Sequence, residues 1–72
     1  MNEENIESLE QVIRDLMFAD NPSFIQTDPK NIIGVTLNLY DMAQTDETLK
    51  TLLRNMTDRE INNAYLNALL PY

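Results

Sequence analysis

The sequence predicts an all-α fold, a single small bundle of four helices with a short helical turn near residues 22–25. Apolar residues recur at three- and four-residue steps in four successive segments. Helix-start residues stand ahead of three of these segments. No run alternates with period two, and no Asn-Gly or Asp-Gly pair marks a hairpin. Residues 1–72 read as one helical domain, without a repeat, a low-complexity tract or a polar linker.

The first helix carries Ile6, Leu9, Ile13, Leu16 and Met17 as a stripe that Val12 widens. Glu3, Glu7 and Glu10 line the opposite face, and acids in the first turns suit the positive end of the helix dipole. Glu10 stands four residues before Arg14, the spacing of a surface ion pair. Asn21-Pro22 stops the helix, because a residue before Pro avoids the right-handed helical region.

The connector over residues 21–28 is unusual for a loop, since it holds Phe24 and Ile25. Asn21 before Pro22 is set to start one helical turn. Asp28-Pro29 repeats that grammar and opens a second helix running to about Gln44. Its apolar residues, from Ile32 to Ala43, wrap most of the circumference, so it is expected to be the buried central helix. Gly34 within it costs about 1 kcal/mol relative to Ala, which a close helix crossing would explain.

Thr45-Asp46 caps a short third helix to about Asn55, with Leu49, Leu52, Leu53 and Met56 as its stripe and Asp46–Lys50 as an i,i+4 pair. The fourth start is the clearest. Thr57 and Glu60 match a capping box, with Met56 and Ile61 as its hydrophobic staple. Ile61, Ala64, Tyr65, Ala68 and Leu69 form the apolar face, and Pro71 ends the helix.

Composition bears on function mainly by exclusion. The 72 residues include no His and no Cys, which removes the usual general base near neutral pH, the strongest nucleophile and an ordinary zinc site. The single Gly rules out a glycine-rich phosphate cradle, and no calcium-loop motif is present. No cofactor or metal is expected. Ser8 and Ser23 have no base in a recognisable motif; carboxylates near the turns (Asp41, Asp46 and Glu47, or Asp20 and Asp28) read as caps and solvated charges. The chain is expected not to be an enzyme.

Met1-Asn2-Glu3-Glu4 lacks the basic and apolar regions of a signal peptide. The longest apolar stretch, Ile32 to Tyr40, falls short of the ~20 residues of a membrane helix. A cytoplasmic location without membrane association is expected.

Three functional readings remain. The preferred one is a small acidic protein-interaction module, an adaptor, modulator or inhibitor. A core of this size supplies only about 3–5 kcal/mol, and self-association as a homodimer is the simplest partnership. Its contact surface is expected on helix one and the connector, at Val12, Met17, Phe18, Phe24 and Ile25, rimmed by Glu7, Glu10 and Arg14. The competing position for Phe24 and Ile25 is as a plug at the end of the bundle.

An alternative is a helix-turn-helix-like DNA-binding regulator. Arg59, Asn63 and Asn67 share one face of helix four, with Lys50 and Arg54 for phosphates. A net charge of −7 opposes nucleic-acid binding. The same charge suits a further alternative, an acidic DNA mimic, although the acids are not spaced as a phosphate ladder. In general character alone (small size, acidity, nine Asn and no catalytic groups) the chain is similar to small phage and mobile-element proteins that bind and modulate host proteins. That likeness implies no site residues.

Overall fold

The first turn of a helix leaves backbone N–H groups unbonded, and side chains that accept them decide where it begins. The computed structural model describes residues 3–25, 30 and 32–70, with Ile32 described by its backbone alone. Among them are four helices, α1 (Glu3–Phe18), α2 (Ile32–Ala43), α3 (Glu47–Arg54) and α4 (Asp58–Leu69), and no strand. The predicted start of α2 at Asp28-Pro29 and the stop of α4 at Pro71 lie outside the described residues.

Two starts follow the predicted grammar. The Thr57 hydroxyl accepts the Glu60 N–H at 3.2 Å, and the Glu60 carboxylate accepts the Thr57 N–H at 2.8 Å. Met56 and Ile61 are both buried beside this box. Ahead of α3, Asp46 is the N-cap and its carboxylate accepts the Leu49 N–H at 3.1 Å. The expected Asp46–Lys50 ion pair is not formed, because the carboxylate is already turned onto the helix end.

α1 stops differently from the expectation. It leaves the helix at Phe18, before Asn21-Pro22 can act. The Asn21 N–H donates to Leu16 O at 3.1 Å and the Asp20 N–H to Met17 O at 3.2 Å. Asp20 takes a left-handed φ of 55°, so the end is a Schellman motif with Asp where Gly is usual. The segment beyond is a single hydrogen-bonded turn and not the expected helical turn. Phe24 N–H donates to Asn21 O, and Ser23 N–H donates to the Asn21 side chain. Asn38 on α2 then clasps the connector from both sides, accepting the Ile25 N–H at 2.9 Å and donating to Ser23 O at 3.1 Å.

α1 lies along α4, α2 packs against α3 and α4, and α3 also touches α1. All four helices supply one core, with Leu9 and Ile13 from α1, Val35 and Leu39 from α2, Leu49 and Leu53 from α3, and Ile61 and Tyr65 from α4. Phe24 joins it from the connector, its ring 6.5 Å from that of Tyr65 at 59°. No helix among the described residues is long and apolar enough to cross a membrane.

The expectation that α2 is buried all round is overturned. Val35, Leu39 and Ala43 face the core, but Ile33 is 73% exposed, Leu37 63% and Tyr40 41%. Its neighbours α3 and α4 cover one side and leave the other open. Gly34, expected at a close crossing, is half-buried between the two faces.

Leu37 and Leu39 are thus expected to respond oppositely to the same replacement. Leu37→Asp places its charge in water and is expected to retain a cooperative melt close to that of the parent. Leu39→Asp buries an unpaired carboxylate and is expected to abolish the transition. Far-UV circular dichroism melts of the two variants check this.

Candidate functional site

The residues expected to form a contact surface on α1 and the connector divide by role. Val12 and Met17 are half-buried and pack against the core. Phe24, at 8% exposure, is a core plug, whereas Phe18, the last residue of α1, is 95% exposed. Ile25 is held by its backbone N–H on Asn38 while its side chain is largely exposed. Phe18, Phe24 and Ile25 therefore do not make one apolar patch, because the Asn38 clasp fixes Phe24 inward.

The charged rim has structural duties as well. Arg14 Nε donates to Glu10 Oε2 at 3.1 Å, so the expected i,i+4 pair is present. The remaining guanidinium donors reach the end of α4, to Asn67 O at 2.6 Å and Leu70 O at 3.3 Å. α4 has no basic residue in its own last turn, and α1 supplies that cation across the interface. Glu7 lies with Glu3, Ile6, Asn63 and Asn67 along a concavity of about 420 Å³ between α1 and α4.

The groups set out for DNA reading lie along different helix junctions. Asn63 and Asn67 border the α1 acids Glu3 and Glu7, whereas Lys50 and Arg54 border a separate apolar groove between α2 and α3. Arg59 is exposed on the first turn of α4, between Asp58 and Glu60. Asp41, Asp46 and Glu47 line an open concavity with Asn21 and Ser23, and Asp46 there is committed to its cap.

The largest feature that the sequence reading missed is the outer face of α2. Ile33, Leu37 and Tyr40 stand at i, i+4 and i+7, the spacing of a helix-binding stripe. Tyr40 continues it into the α2–α3 groove, about 340 Å³, where Ala43 and Leu53 form apolar wall and Lys50 and Arg54 border it. The Tyr40 hydroxyl donates to Asp58 Oδ1 at 3.4 Å. Burial, then the nearby Asp58 charge, then this hydrogen bond hold its pKa above the ordinary tyrosine value. The phenol thus stays neutral and fixed at the junction of stripe and groove. A helix apolar around most of its circumference, in a chain with three others to cover it, was the available signal.

Two variants separate structure from surface here. Arg14→Ala is expected to lower stability by about 1–2 kcal/mol through loss of charge-assisted bonds to α4, with Arg14→Lys restoring only part of it; denaturant unfolding measures both. Phe24→Ser should cost about 3–5 kcal/mol, as for truncation of a buried Phe, while Phe18→Ser should leave the melting temperature nearly unchanged. Compared with known protein families, curated proteins and solved structures, the chain matches none.

Proposed function

We propose that this chain is a small acidic protein-interaction module, a non-catalytic adaptor, modulator or inhibitor working in the cytoplasm by contact with another protein. The observation that supports this reading is the outer face of α2. Three large apolar side chains at helical spacing stand in water on a chain of 72 residues, and contiguous exposed apolar surface is characteristic of interaction sites. Burying such a stripe against a partner would recover apolar contact that the bundle itself does not provide. The stripe, with Tyr40 as its aromatic anchor, is the proposed centre of contact, and exposed Phe18 and Ile25 are candidates for secondary contacts.

Leu37→Asp supplies the test, since it is expected to fold. Tagged parent and variant chains are used for affinity capture from lysate, with mass spectrometry of what is retained. A protein retained by the parent and lost with Leu37→Asp, then rebound in purified form, supports the reading. Equal retention by both places contact elsewhere. Retention of duplex DNA at low salt, lost with Arg59→Ala, favours the DNA-binding alternative.

A further inference from the structure

Two surface features of the molecule are complementary in shape and charge. One is the end of α1. Phe18 projects almost wholly into solvent, with exposed Asp15 in the same last turn and Asp20 two residues on. That turn contains no basic residue, so both carboxylates sit at the negative end of the helix dipole, where acids are disfavoured. Neither side chain anchors the end of the helix. Its carbonyls are met by the Asp20 and Asn21 backbone N–H groups, and the Asp15 carboxylate accepts only from Gln11 on the same outer surface. The result is an aromatic knob inside a local concentration of negative charge.

The other feature is the groove between α2 and α3. Its walls are mostly apolar, from Tyr40, Ala43 and Leu53, and its volume of about 340 Å³ admits an aromatic side chain with part of the turn that carries it. Lys50 and Arg54, four apart on α3, border it. Neither makes an ion pair among the described residues. In a chain with five cations and a net charge of −7, two cations stand together at this groove, and the neighbouring Asp58 carboxylate is hydrogen-bonded to the Tyr40 hydroxyl.

We propose that the groove receives the Phe18 knob of a second copy of this chain, with Asp15 and Asp20 of one copy facing Lys50 and Arg54 of the next. The knob does not fill the groove of its own chain, because Phe18 is exposed. Donor and acceptor are different surfaces, so two copies either exchange knobs about a two-fold axis or join head-to-tail into rings or open chains. Charge complementarity sets the register, and the phenyl ring supplies the apolar anchor, with Arg54 placed to lie over it. This contact is separate from the partner reading of the α2 stripe and shares only Tyr40 with it.

A contact between two different surfaces has a signature that contact of one surface with itself lacks. Phe18→Ser removes the knob and keeps the groove, whereas Lys50→Glu/Arg54→Glu keeps the knob and spoils the groove. Sedimentation velocity at low salt, over a wide concentration range, is expected to show the parent mass rising above the 8.4 kDa monomer. Each variant alone should stay monomeric, and an equimolar mixture should give a one-to-one complex that grows no further. High salt should weaken all of these associations. A parent that stays monomeric at millimolar concentration, a Phe18→Ser chain that associates as the parent does, or a mixture that fails to pair would each overturn the proposal. Circular dichroism establishes that the variants are folded, with Lys50→Gln/Arg54→Gln as the replacement if the reversed pair melts early. Repeating the series with Leu37→Asp removes the α2 stripe, so association lost only in that background belongs to the stripe and counts against the knob.

Discussion

A helix with apolar residues around most of its circumference needs neighbours on more than one side, and a bundle of 72 residues has too few to supply them. α2 is that helix, and the rest of the structure follows from which of its sides is covered. α3 and α4 take the side bearing Val35, Leu39 and Ala43, and α1 is spent along α4. What remains is an apolar stripe in water, held in place by the helix's inner face and, at Tyr40, by the hydrogen bond to Asp58. The stripe is thus a consequence of packing arithmetic as much as a separate feature of the surface.

The connector resolves a similar competition on a smaller scale. Two large apolar residues stand side by side in sequence, and only one goes inside. Asn38 decides which, because bonding Ser23 O and the Ile25 N–H together fixes the direction of the intervening Phe24. The ring then meets Tyr65, which is wholly buried near the middle of α4. A polar side chain on the half-buried flank of α2 in this way sets an apolar contact in the core.

Most local signals were legible in the sequence, the Asp46–Lys50 pair being an exception, and signals that depend on distant residues were not. The capping box at Thr57–Glu60, the cap at Asp46 and the Glu10–Arg14 pair all involve residues three or four apart, and all three are present. The bonds from Arg14 to carbonyls 53 and 56 residues away leave no trace in local spacing. Periodicity identified α2 as a helix but could not count its neighbours, so its outer face was assigned to the core. The end of α1 was placed too late because a left-handed Asp20 ends the helix before the Pro-based stop is reached. For the contact surface, composition indicated surplus apolar residues, whereas choosing between Phe18, Phe24 and the α2 stripe required the tertiary path of the chain.

The tie between Arg14 and the last carbonyls of α4 also bears on how the chain folds during synthesis. α1 emerges from the ribosome before α4, the helix it lies along, with α2 and α3 made between them. Until residues 58–70 are outside the exit tunnel, the apolar stripe of α1 has no α4 to cover it, and the Arg14 donors lack their α4 carbonyls. Short helices are marginal in water without tertiary packing. The nascent chain therefore presents Leu9 and Ile13 to its surroundings until α4 has emerged, and the bundle closes as a unit then rather than growing outward from α1.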